Sequence, residues 1–270
     1  MGKRSAARRI KNAEFDTSAY FEDEDRATGR SLYAIDGGGG DWHPDEGEKV
    51  KNLNRRAEAQ RDQKYVKNIT PRSENQAELL KALDTYPLVA AVGPAGTGKT
   101  YLAICKAVEA LQKGKVGRIV LSRPAVEAGE QIGFLPGAME DKLAPYLRPL
   151  YDALSDRLSP KQLRDMLAEG LIEIAPIGFM RGRTLNNAFV VIDEAQNCTY
   201  TQLKMLLTRL GWHSTMVVTG DPNQSDLLPE MSGLHTIAAK LDSMENVAVV
   251  RLEAEDVVRH PLVAEMLDTL

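Results

Sequence analysis

Cysteine is nearly missing. Cys105 and Cys198 are the only two in 270 residues. They lie far apart, with no CxxC or Cys/His metal spacing, which excludes a disulfide framework and a zinc site and leaves both as reduced structural thiols. Histidine is equally sparse, with four in the chain; His43 falls in a charged tail, His213 and His235 have no metal-spaced partner, and His260 adjoins Arg259. No apolar run approaches the ~20 residues of a spanning helix. The start, MGKRSAARRIKNAEF, is charged with no apolar stretch behind it, so neither a membrane segment nor a secretory leader is expected, and a cytoplasmic location is. Aromatics make up only 6%, so Phe134, Tyr146 and Tyr151 read as packing residues before they read as base-stacking ones. Excess charge is also lacking: a net −4 gives no general attraction to polyanions, and placement matters more than the sum.

Residues 1–72 hold 15 basic and 13 acidic side chains, a local +2, leaving −6 for the other 198 residues. Only 22 of those 72 are hydrophobic, about 31%, against roughly 47% beyond them. That contrast separates a charged extension, poorly ordered or partly helical, from a domain able to bury a core. The extension carries a basic block (Lys3, Arg4, Arg8, Arg9, Lys11), an acidic block reaching Asp25, and the glycine run 37–40 that reads as a linker. A basic helix is expected over about 48–66. The basic arm could touch phosphate backbones, or be simply a solvated tail.

Beyond residue 72 the pattern changes to short apolar runs alternating with helical periodicity. The expected strands are 88–92, 118–122, 171–177, 188–193, 215–221 and 247–253. Helices are expected at 74–83, 99–112, 139–155, 160–169, 200–210 and 234–241, with another after Pro261. Continuous apolar strands joined by helices predict a mostly parallel sheet covered on both faces, an α/β domain over 73–270.

Chemistry concentrates at the ends of those strands. GPAGTGKT at 93–100 fits GxxxxGK[ST] throughout, follows the strand 88–92 and opens a helix. Gly93, Gly96 and Gly98 allow a loop whose N–H groups face phosphate oxygens, with Pro94, Ala95, Thr97 and Tyr101 completing the cradle. Lys99 would reach the β and γ phosphates of ATP, and the Thr100 hydroxyl would hold Mg²⁺. VVIDEAQ at 190–196 ends another strand; there Asp193 is expected at Mg²⁺ and Glu194 at the hydrolytic water. TGDPNQ at 219–224 leaves a third strand, forming a turn with Pro222 second and offering Gln224 to the γ phosphate. In SENQAELLKAL at 73–83, Gln76 is either an adenine reader or an exposed helix residue.

Together these stretches resemble the PhoH family. The likeness also takes in SRPAVEAGEQIGFLPG at 122–137, KLAPYLRPLYDAL at 142–154, EIAPIGFMRGRTLNNAFVVIDEAQNCT at 173–199 and DVVRHPLV at 256–263. The resemblance implies a P-loop NTPase with a RecA-like sheet similar to the core of superfamily 1 helicases. It further implies Mg²⁺-dependent ATP hydrolysis linked to RNA or single-stranded nucleic acid, ring-shaped homo-oligomers, hexamers in particular, and an RNA-processing nuclease as partner. With one motor domain, a charge-stabilising arginine would have to come from a neighbouring subunit. Arg259 is the first choice, and Arg183 or Arg209 come next. Arg123, Arg181 and Arg183 sit where a strand backbone would be contacted, or else form salt bridges within the ring. Two other readings stay open: a nucleotide-gated adaptor that moves no strand, and a small-molecule kinase.

Overall fold

The computed structural model describes residues 68–124, 139–227 and 232–258. Most of the N-terminal extension, the helices expected over 48–66 and after Pro261, Phe134 and Arg259 therefore lie outside the described residues.

The elements run α1 (Glu74–Thr85), β1 (Leu88–Val92), α2 (Lys99–Gln112), β2 (Arg118–Arg123), α3 (Met139–Ser155) and α4 (Pro160–Ala168). They continue with β3 (Ile172–Pro176), β4 (Ala188–Ile192), α5 (Tyr200–Leu207), β5 (Thr215–Gly220), α6 (Leu234–Leu241) and β6 (Val247–Arg251). All pairings are parallel and the sheet order is β3-β2-β4-β5-β1-β6. This is the α/β, RecA-like P-loop NTPase architecture. Strand β5 intervenes between β1, which feeds the glycine loop, and β4, which ends at Asp193.

The unbroken apolar strands have a direct cause. Val89 and Ala91 of β1, Leu121 of β2 and Val191 of β4 pack under α1, α2, α3 and α4, whereas Ala90, Val120 and Val190 pack against α5 and α6 on the other face. With both faces covered, neither side of a strand tolerates polar residues. Both cysteines are buried and free, and burial pushes the Cys198 thiol up to about 12.

Capping fixes where helices begin. The side chains of Ser73, Ser159 and Thr199 accept a backbone N–H at the starts of α1, α4 and α5, the last two as full capping boxes with Gln162 and Gln202. The expected extension of α5 to residue 210 is not found. The helix stops at Leu207, and the Arg209 carbonyl instead accepts the Leu185 N–H at 2.9 Å. Likewise β3 ends at Pro176, after which Ile177–Met180 turns as a short 3-10 segment.

Candidate nucleotide site

Parallel strands deliver their loops to one edge of the sheet, and the register sets how they meet. Val92 lies beside Gly220, and Ser122 beside Ile192. At this edge a cleft of about 180 Å³ is lined by Lys99, Thr100, Asp193, Glu194, Asp221 and Gln224 among others. Tyr101 and Ala95 also line it.

The loop from Gly93 to Gly98 turns through left-handed conformations at Gly93, Gly96 and Gly98. A side chain at Gly93 would place its Cβ 2.1 Å from the Leu252 carbonyl oxygen, which belongs to backbone and cannot swing aside. Gly93→Ala is expected to cost about 3 kcal/mol, from backbone strain plus the clash. Denaturant unfolding and titration with a fluorescent ATP analogue should show the stability loss and weaker nucleotide binding together. Helix α2 starts at Gly98 with no side-chain cap. Unlike α1, α4 and α5, it leaves its leading N–H groups without a side-chain acceptor, an arrangement suited to an anion.

Lys99 is buried, 8% exposed. Its Nζ donates to the carbonyls of Gly93 at 2.7 Å and Pro94 at 2.6 Å, and to Thr97 Oγ1 at 3.3 Å. Burial lowers its pKa, while the negative charges of Asp221, Glu194 and Asp193 work the other way.

Thr100 Oγ1 donates to Asp193 Oδ1 at 2.5 Å, and Thr219 Oγ1 donates to the same oxygen at 2.9 Å. Thr219, on β5, thus bridges the strands that carry the glycine loop and the carboxylate. A hydroxyl and a carboxylate, both hard oxygen donors, form a set suited to Mg²⁺ beside phosphate. Asp193 N–H donates to the Ser122 carbonyl at 2.8 Å, extending the β2–β4 ladder by one rung and leaving the residue 4% exposed.

Glu194 follows in the left-handed region, φ 51° and ψ 42°, which costs a non-glycine residue on the order of 1–2 kcal/mol. The next residues hold it there, with Asn197 N–H donating to the Glu194 carbonyl at 3.0 Å and Ala195 and Gln196 buried. Gln196 Nε2 donates to Glu194 Oε2 at 2.5 Å, while its Oε1 accepts the Asp221 N–H at 3.1 Å. A single carboxamide therefore locks the DEAQ turn to the TGDPNQ turn. Gly220 makes that approach possible, since a Cβ there would lie 2.7 Å from Gln196 Oε1. The TGDPNQ turn is the expected one, with Gln224 N–H donating to the Asp221 carbonyl at 3.1 Å. Gln224 is exposed at the cleft rim.

Residues 68–270 match the family described as PhoH-like protein. The chain belongs to the PhoH family. Curated PhoH-like proteins from Mycobacterium tuberculosis (strain H37Rv) and Bacillus subtilis are 53% and 50% identical over 203 residues, 75% of this chain. Protein PhoH of Escherichia coli K12 is 45% identical over 205 residues, again 75% of this chain. These matches span 58%, 64% and 58% of those relatives' lengths. Among solved structures, a large terminase from a thermophilic bacteriophage gives a TM-score of 0.46 at 13% identity, covering 74% of this chain and 50% of that one. Its strand order and glycine loop give this PhoH domain the fold of a P-loop NTPase.

Of the two readings of Gln76, the exposed helix residue is not found: it is 3% exposed, its Nε2 donates to the Thr97 carbonyl at 3.1 Å, and its Oε1 accepts the Arg72 N–H at 2.8 Å. It braces the glycine loop from α1. Arg183 grips both carboxylate oxygens of Glu173, at 2.7 Å for Nη2 to Oε2, and that hydrogen bond raises its pKa. Arg209 spends its guanidinium on the carbonyls of Met205 and Arg183 and on Thr208 Oγ1. Both arginines thus have partners within the chain. Arg123 faces Asp193 Oδ2 at 3.5 Å and Glu194 Oε1 at 3.4 Å. Arg181 is exposed after β3, while Tyr151 is buried in the core. Gln196, Thr219 and Asp221 carry no signal of their own in the sequence, although DEAQ and TGDPNQ contain them.

A larger cavity, about 500 Å³, lies at the other end of the strands beside Pro87, Ser214 and Thr215. Its lysines 106, 113 and 115 already pair with Asp84 and Glu109, and it is remote from the glycine loop. Size therefore does not mark the reactive site here.

Proposed function

We propose that this PhoH-family chain hydrolyses ATP with Mg²⁺ as a homo-oligomeric ring, a hexamer, and couples each cycle to RNA or single-stranded nucleic acid. The observation carrying the hydrolase is the convergence, at one sheet edge, of an uncapped helix start, a buried ammonium, the Thr100–Asp193 pair and a braced Glu194.

In this reading the loop amides and the start of α2 receive the phosphates, and Lys99 exchanges its two carbonyl acceptors for phosphate oxygens. Thr100 and Asp193 would hold Mg²⁺, which supplies charge neutralisation across the β and γ phosphates. Glu194 takes a proton from the water whose oxygen bonds to the γ phosphorus as the bond to the ADP oxygen breaks. Gln224 reads the γ phosphate from the rim.

The ring is proposed on the family resemblance, with charge in the transition state met by an arginine of a neighbouring subunit, Arg259. Its described neighbour Val258 donates its N–H to the Gly96 carbonyl at 3.0 Å, so the segment starts beside a nucleotide loop. An RNA-processing nuclease is the proposed partner, and the cytoplasm the proposed site of action; no described helix is long and apolar enough to cross a membrane.

The test is phosphate release with and without Mg²⁺, poly(U) and poly(dT), together with mass by light scattering. Expected are Mg²⁺-dependent turnover that poly(U) raises and a particle about six times the 29.7 kDa chain. A fully active monomer indifferent to both polymers would remove the ring and the nucleic-acid coupling while leaving the hydrolase.

A further inference from the structure

Arg123 closes β2, one position past Ser122, which lies beside Ile192 of β4. This register carries the guanidinium to the start of the DEAQ turn. Nη1 lies 3.5 Å from Asp193 Oδ2 and Nη2 lies 3.4 Å from Glu194 Oε1. The opposite oxygen of Glu194, Oε2, is already taken by Gln196 Nε2 at 2.5 Å. Both oxygens of the carboxylate that should receive the water's proton are thus facing donors.

The two donors are held very differently. Gln196 is 3% exposed and bonded at both ends of its carboxamide. The Arg123 side chain is 21% exposed, and its contacts to these two carboxylates are single-atom and long. A guanidinium well matched to a carboxylate makes two parallel bonds at about 2.7–2.9 Å. Arg183 on Glu173 makes such a two-pronged grip in this same chain, and Arg123 does not. Gln196 is a fixed brace and Arg123 a removable one.

We propose that Arg123 is a brake on Glu194: it occupies Oε1, the carboxylate oxygen left open by Gln196, and so keeps the attacking water from it until a phosphate oxyanion, offering two oxygens to the fork, draws the guanidinium away. Arg123 is then a positioning residue that acts through Glu194, and this rests on the reading of Glu194 as the proton acceptor. It gives nucleic acid a route to the hydrolytic step, because a strand phosphate that captures Arg123 frees Oε1.

The experiment uses the full chain and compares parent, Arg123→Ala, Arg123→Lys and Glu194→Gln, each with ATP alone, with poly(U), and with inorganic phosphate. Arg123→Ala is expected to raise kcat without polymer by about three- to tenfold, the scale of one partly exposed ion pair, with KM for ATP unchanged. Lysine, keeping the charge but losing the fork, should restore much of the low parent rate. Poly(U) should raise the parent toward the alanine variant and add nothing to that variant. If inorganic phosphate does so and poly(U) does not, free phosphate is the releasing ligand.

Arg123→Ala lowering kcat, or leaving it as it was, overturns the brake. A parent that neither anion stimulates overturns release by phosphate. Parent turnover that survives Glu194→Gln overturns the role given to Glu194 itself, a separate failure from the first two.

Discussion

Replacing Lys99 by Ala lowers ATP turnover by roughly 10²- to 10³-fold, the effect expected when a desolvated charge contributing about 3–4 kcal/mol to the transition state is lost. The ammonium sits 2.7 Å and 2.6 Å from the Gly93 and Pro94 carbonyls, so the cation is already gathered at the loop before any phosphate is engaged. Burial opposes its charge and three carboxylates support it. Such a group gains strongly from a polyanion in the same cleft, since water screens little there. Deleting it also leaves the Gly93 carbonyl without that donor, at about 1–3 kcal/mol if water cannot reach it, while Thr97 Oγ1 still donates to the Pro94 carbonyl at 2.9 Å. Steady-state phosphate release and calorimetric ATP binding should both fall. Turnover within tenfold of the parent would contradict the placement of phosphate in this loop.

Glu194→Gln should separate binding from chemistry. The amide has nearly the same shape and keeps an acceptor, but it cannot take a proton, so kcat is expected to drop by about 10²- to 10⁴-fold while ATP affinity stays within about threefold of the parent. Its backbone lies in the left-handed region and is held by Asn197 and by the buried Ala195 and Gln196, so the replacement inherits the same position. Single-turnover hydrolysis measured beside equilibrium binding gives both quantities. Equal losses in affinity and rate would show that Glu194 shapes the nucleotide pocket instead of the reaction.

The sheet is readable in the sequence because both of its faces are covered: LVAAV and AFVVI leave no polar position to confuse strand with helix. The glycine loop is readable because its backbone demands are local. Contacts between residues distant in sequence are not. Gln76 meets Thr97 across 21 positions, Arg123 meets Glu194 across 71, and Thr219 reaches Asp193 across 26. None of these has a periodic signature. Gln76 is ambiguous in the sequence since a glutamine on an amphipathic helix is compatible with either solvent or interior, and only the close approach of α1 to the loop decides it. Likewise, charge alone does not reveal that Arg183 meets Glu173 and that Arg209 meets two backbone carbonyls. Apolar periodicity places the end of α5 three residues late because Leu210 continues the stripe, although the chain there has already left the helix to pair beside Leu185.

Past β6, Asp256 Oδ2 accepts from Asn75 Nδ2 at 2.8 Å and Val258 donates its N–H to the Gly96 carbonyl. The first tie reaches the helix that braces the glycine loop, the second reaches the loop itself. A displacement of the Gly96 peptide on phosphate entry or departure would tug on a backbone amide near the far end of the sequence. Levers need a fulcrum and a handle, and α1 with Val258 supplies both at the rim of one small cleft.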